Sequence, residues 1–322
     1  MTATLLDARP PAHDLDLREA ATSRGRRLRD KAATGLMVVA FLVAFLPLLF
    51  ILWTVVSKGI SVIRADWFTK PIPDVGSFAN AGNAEAFGID PSNVAVAKPV
   101  YGMQPAIVGT IIVTGVAALL AIPLGIMGAI YLNEYGKRGR FARTLRFFTD
   151  VMTGVPSIVM GIFLYTAFVV PQGTSGRSAI AGALALACLM LPIVVRTSEE
   201  MLKLVPNDLR EASAALGTRT WRTTVGVVLP AALPGVTSGC MLAVARAAGE
   251  TAPILLTVGS TRFTNWSLGG VNTSLSREIY SNATQPGGEA LAWGAALTLI
   301  AIVLVMTVLA RFVTSKFAIR QT

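Results

Sequence analysis

Residues 229–258 read LPAALPGVTSGCMLAVARAAGETAPILLTV, an apolar stretch long enough to cross a bilayer yet carrying two charges, Arg246 and Glu250. A charged side chain near the bilayer centre costs roughly 2.5–3.5 kcal/mol on insertion scales, so such residues face a protein interior or a water-filled route. With Ala247, Ala248 and Gly249 between them, the i,i+4 spacing predicts one close-packing helix with both charges on a single face. That face is the first candidate for the path of something charged. The remainder of the chain agrees: 53% of residues are hydrophobic, only 14% are charged, and the mean hydropathy is +0.61. These values belong to an integral membrane protein.

Apolar windows near twenty residues occur at about 36–57, 106–132, 147–170, 178–195, 227–258 and 291–312, which predicts an all-α polytopic protein with six transmembrane helices. The first window is too long for a secretory signal and lacks a small-residue cleavage site, so it is expected to remain as an anchor. Pro192 near the end of the fourth window, and Pro230, Pro234 and Pro253 in the fifth, make either place a candidate for a broken or re-entrant helix. The organisation that follows is a flexible basic tail at 1–35, a first span at 36–57 and an outer loop at 58–105. A core of five spans then occupies 106–312, with its longest inner connection at 196–226, before a short tail at 313–322.

Basic residues set the orientation. Arg24 to Lys31, then Lys137 to Arg146, then Arg196, Lys203, Arg210, Arg219 and Arg222, and finally Arg311, Lys316 and Arg320 fall in alternate connections. Those connections are predicted to be cytoplasmic, with both termini inside. The net charge of +10 and pI near 10.1 follow from this topology and from anionic lipid head groups, so nucleic acid is not expected as a partner. In the outer loop, Ile60, Val62, Ile63, Trp67 and Phe68 form an interfacial run whose tryptophan suits the head-group layer. The rest of that loop reads equally as unconstrained chain or as a docking surface for an outer partner.

Little in the chain supports catalysis. His13 is the only histidine and lies in the polar tail, Cys188 and Cys240 read as apolar packing residues, and no spacing suggests a metal site. Carboxylates within the spans are confined mainly to Asp150 and Glu250, too few for an acid–base or nucleophilic constellation. No Gly-x4-Gly-Lys-[Ser/Thr] phosphate loop occurs. The chain is therefore expected to bind no cofactor and to have no catalytic residue of its own.

The 196–226 connection carries the most specific signal: Glu211-Ala212-Ser213, then Gly217, then Val227, Leu229 and Pro230. Residues Asp208 to Leu216 predict a short helix, with Pro206-Asn207-Asp208 at its start and Gly217 supplying the left-handed residue that ends it. A rigid cytoplasmic element results, and it can carry a push between a soluble motor and the bundle or simply cap two helices. It resembles the EAA loop of ABC-importer permeases in register throughout, with Ser213 for the second alanine and Val227 for the usual isoleucine.

From about Met103 to Ala310 the chain further resembles the phosphate-specific ABC-importer permeases, in their PstA-type branch. The resemblance rests on Ala106-Ile107-x-Gly109-Thr110, Pro123-x-Gly125, Tyr131-Leu132-Asn133-Glu134-Tyr135, the run Gly154-Val155-Pro156-Ser157-Ile158-Val159-x-Gly161-x-Phe163, and Arg246-Ala247-x-Gly249-Glu250-Thr251-Ala252-Pro253. Physically, Gly154, Pro156, Gly161 and Gly249 read as sites of close backbone approach and local kinking. The resemblance implies a type I permease bundle in a bacterial cytoplasmic membrane, phosphate as substrate, and phosphate passage past Arg246 and Arg196. It also implies a PstC-like permease partner, two PstB-like ATPase subunits holding ATP and Mg, and a PstS-like phosphate-binding protein outside. Read from the residues alone, Arg196 is equally a topological arginine at the inner boundary, Arg246 and Glu250 an ion pair that neutralises itself, and the anion sulfate or molybdate.

Overall fold

The computed structural model describes residues 24–73, 101–136 and 139–317. The expectations for residues 1–23 including His13, for 74–100 of the outer loop, for Lys137 and Arg138, and for 318–322 lie outside the described residues. Among the described residues all regular structure is helical: α1 (Arg24–Gly59), α2 (Ala65–Thr69), α3 (Gln104–Ile130), α4 (Arg140–Gly154), α5 (Ser157–Leu164), α6 (Ala179–Lys203), α7 (Asn207–Ala215), α8 (Thr220–Thr223), α9 (Leu229–Gly249), α10 (Ala252–Thr257), α11 (Leu275–Ala283) and α12 (Glu289–Phe317). Single π turns at Tyr131–Tyr135 and Thr224–Val228 extend α3 inward and join α8 to α9. The chain forms two compact units, up to Trp53 and from Thr54 onward.

Among the described residues five helices are long and apolar enough to cross a membrane: Leu28–Gly59, Gln104–Tyr135, Ala179–Lys203, Thr220–Gly249 and Glu289–Phe312. The remaining window, the third, is a pair, α4 with the segment Ser157–Gly173, bent by 104°. In the first unit, α1 begins at Arg24, so residues 24–35 are helical where a flexible tail was expected. Consecutive residues Leu36, Met37, Val38 and Val39 are all exposed there, the all-round apolar surface of a helix whose solvent is lipid.

One break falls where the prolines suggested, in the fifth window just before Pro253, and the other does not. Pro192 lies inside an uninterrupted α6, which packs on α3 on one side and α9 on the other and buries Leu186, Met190, Pro192 and Val194 between them. Packing on both sides holds that helix straight through its proline. The third window breaks instead, because Pro156 forces the preceding Val155 into extended backbone, φ −72° and ψ 126°. In the fifth window α9 runs through Pro230 and Pro234 and stops at Gly249, with Glu250 extended at φ −69° and ψ 128°. Gly161 and Pro253, one beyond each break, meet: a Cβ on Gly161 would lie 2.7 Å from Pro253 Cα. Gly154 and Gly249, by contrast, have open space where a side chain would be, so they end helices and allow no close approach.

The main core is built by α3, α6, α9 and α10 around Val113, Ala117, Leu186, Met190, Val236, Val244 and Ile254. A second cluster forms around Trp67 with Met103, Leu275 and Leu291. Trp67 is fully buried and donates Nε1–H to Thr298 Oγ1 at 2.9 Å, so it is a core residue and not a head-group anchor. Cys188 and Cys240 are both free thiols.

Candidate substrate route and coupling element

Arg246 occupies the last turn of α9, and the helix ends three residues later. Glu250 therefore does not share the helix face that the i,i+4 spacing suggested. Its extended backbone nevertheless returns the carboxylate to the guanidinium, with Nε to Oε1 at 3.6 Å. Arg246 is 67% exposed and Glu250 17% exposed, so the arginine presents itself on an open face of this chain and is not an interior charge. Ser276 on α11 donates to the Glu250 carbonyl at 3.0 Å and fixes the break from the other side.

Arg196 lies on α6, and the structure does not join it to the Arg246 pair. It lies 3.5 Å from Asp150 Oδ1 on α4 and 3.5 Å from Glu200 Oε1 one turn along its own helix. A groove of about 760 Å³ between α6, α9 and α12 is lined by Thr197, Glu200, Ser238, Thr307 and Arg311 and contains neither route arginine.

In the inner connection α7 runs Asn207–Ala215 and Gly217 takes φ +75°, a conformation that a side-chain-bearing residue adopts only at a cost. Glu211 and Ala212 are exposed on it, as are Leu209, Leu216 and Trp221, while Leu229 and Pro230 open α9. Ser213, one of the two departures from the EAA pattern, makes a node of three hydroxyls: its Oγ lies 2.6 Å from Thr218 Oγ1 and 2.8 Å from Thr223 Oγ1, and those two are 2.9 Å apart. The node ties the end of α7 to α8 across the turn.

Sequence reasoning missed the charges that anchor this element. Arg210 donates to Glu134 Oε1 at 3.0 Å, to the Leu202 carbonyl at 2.9 Å and to the Val205 carbonyl at 2.6 Å. It thereby binds α7 to the end of α6 and to the π turn after α3. Beside it, Glu199 is only 1% exposed and accepts from Arg146 Nε and Lys203 Nζ, each at 2.8 Å. The Lys203 pair has i,i+4 spacing and was readable; the others span 76 and 53 residues, which no local pattern encodes. On the opposite side Arg277 donates to the Leu255 carbonyl at 3.3 Å, and its Nε has no hydrogen-bond partner among the described residues. Burial pushes this guanidinium below its ordinary pKa and Arg177 adds to that, while Glu278 opposes it. Among the described residues no group of His, Cys, Asp and Glu has the arrangement of a metal site.

Residues 121–319 match the model of a family described as the binding-protein-dependent transport system inner membrane component. This chain belongs to that family. It is a multi-pass protein of the bacterial cytoplasmic membrane and a transport component rather than an enzyme. Over 298 residues it is 42% identical to the phosphate transport system permease protein PstA 1 of Mycobacterium tuberculosis, covering 90% of this chain and 91% of that one. It is 35% identical over 288 residues to the PstA permease protein of Haemophilus influenzae, covering 89% and 94%. Among solved structures, a bacterial ABC transporter involved in import of the acidic polysaccharide alginate superposes with a TM-score of 0.56, at 14% identity, over 90% of this chain and 99% of that one. A chain of the MetNI methionine ABC transporter superposes with a TM-score of 0.52, at 20% identity, over 66% and 93%. These two likenesses establish the permease fold.

Proposed function

We propose that this chain is the permease subunit of an ATP-driven ABC importer for inorganic phosphate, forming half of the translocation route. The observation that carries this reading is identity at 35–42% with PstA permease proteins along about nine-tenths of the chain. Arg246 supports it, because an exposed guanidinium on a membrane-spanning helix is a planar donor fork that suits phosphate oxygens and stays charged at physiological pH. A homologous PstC-like subunit closes the other half of the route against the open face that carries Arg246. Arg196, nearer the inner end, is the second station.

Energy requires a motor. Moving an anion into an inside-negative cell costs about 2.3 kcal/mol per charge per 100 mV, and a passive path would leak phosphate outward. The chain has no phosphate loop, so ATP and Mg belong to two PstB-like ATPase subunits at the inner face. The α7–α8 unit, with Glu211 and Ala212 exposed and Leu209, Leu216 and Trp221 around them, is the surface that seats in one of the two ATPase subunits. A PstS-like protein delivers phosphate from outside. The test is co-purification of the tagged chain with its partners, followed by reconstitution and ATP-dependent uptake of labelled phosphate. Uptake inhibited by unlabelled phosphate and not by sulfate or molybdate is expected. Flux that persists with a disabled ATPase, or preference for another oxyanion, would overturn the reading.

A further inference from the structure

Two ion pairs bridge α4 and α6, and they are built differently. Arg146 and Asp150 stand one turn apart on α4, and Glu199 and Arg196 stand one turn apart on α6, so the helices meet in two rungs of opposite polarity. The inner rung, Arg146 with Glu199, closes to 2.8 Å around a carboxylate that is 1% exposed and that Lys203 also holds. The outer rung, Asp150 with Arg196, is 3.5 Å long with both side chains about half exposed. Asp150 lies four residues before the end of α4, next to the 104° bend. Glu200 faces the same guanidinium, also at 3.5 Å. Arg196 thus carries two loose carboxylates on a helix whose neighbouring charge is locked.

We propose that Asp150 is a latch on Arg196: a positioning residue whose carboxylate occupies the guanidinium while the route is empty and yields it to an arriving tetrahedral oxyanion. This deepens the phosphate reading and rests on it. The exchange is favourable in direction, because a half-exposed, water-screened pair is weak, whereas a phosphate oxygen pair fits the arginine fork with two charge-assisted bonds. It is also reversible, because the displaced carboxylate stays beside the site and helps to expel the anion. The tight inner rung lets α4 pivot without leaving α6, so movement at the bend opens the outer rung first.

The test measures binding of radiolabelled inorganic phosphate to the assembled complex in lipid nanodiscs, together with ATP-driven uptake in vesicles. Asp150→Asn is expected to tighten phosphate binding by about threefold and to slow uptake, while Asp150→Glu restores both. Asp150→Ser removes the same charge by a different side chain, so an assembly defect in one variant leaves the other to decide. A merely structural Asp150 would lower uptake without tightening binding, and that result, or unchanged binding, overturns the latch. Arg196→Gln, run alongside, is expected to weaken binding. Wild-type binding in Arg196→Gln would overturn the role of Arg196 itself, a failure distinct from that of Asp150 alone.

Discussion

The asymmetry of the Arg246–Glu250 pair decides what each substitution does. Arg246 is two-thirds exposed, so Arg246→Gln removes a solvated charge and leaves the fold intact. A charge-assisted hydrogen bond to substrate is worth about 1.5–3 kcal/mol, so phosphate uptake is expected to fall by at least about tenfold, with normal membrane insertion and recovery of the ATPase subunits on purification. Glu250→Gln leaves no buried cation behind, contrary to what an interior pair would produce, and is expected to assemble normally while releasing phosphate more slowly. The charge-swapped double variant should assemble and fail to transport. Transport recovered in the swap would make the pair structural.

At the scale of elements, the α7–α8 turn depends on geometry at Gly217 and on hydroxyls at Ser213. Gly217→Val places a β-branched side chain at φ +75° and is expected to uncouple ATP hydrolysis from uptake without changing insertion, measured as both activities in the same vesicles. Glu211→Ala should weaken the seat in the ATPase in the same assay. Ser213→Ala opens the three-hydroxyl node and is expected to cost about 1 kcal/mol, seen as a lower melting temperature of the purified complex. Arg210→Met strands Glu134, whose side chain is 6% exposed, and the cost of breaking such a pair is about 3–5 kcal/mol. Adding Glu134→Leu should recover much of that loss. A double variant no better than the single would show that the Leu202 and Val205 carbonyls, and not Glu134, carry the clamp.

For the whole molecule, Trp67 joins the segment after α1 to α12 and to the start of α3, through complete burial and its bond to Thr298. Trp67→Ala is expected to cost about 3–5 kcal/mol and to lower the yield of assembled complex in a detergent stability assay. Trp67→Phe, which keeps most of the volume and loses the bond, should lose far less. Equal losses in both would mean that the hydrogen bond, and not packing, holds this cluster.

Membrane class, the six apolar windows and the α7 helix with its Gly217 stop are properties that residues carry locally: transfer free energy sums along a window, and a glycine turn needs only its own backbone freedom. Those were legible in the order of residues. Where a helix breaks was legible only in part: the fifth window breaks just before Pro253, but Pro192 is buried in an α6 packed on α3 and α9 and leaves it unbroken, whereas Pro156 turns Val155 into extended backbone. The Arg246–Glu250 pairing was legible, though the two meet around a helix end instead of along a face, while the carboxylates that Arg146, Arg210 and Arg196 find on other helices were not. Trp67 looked like an interface residue until a threonine 231 positions away enclosed it. Tertiary structure decided these points because electrostatics and packing act through space, where residues far apart in the chain lie within a few ångströms.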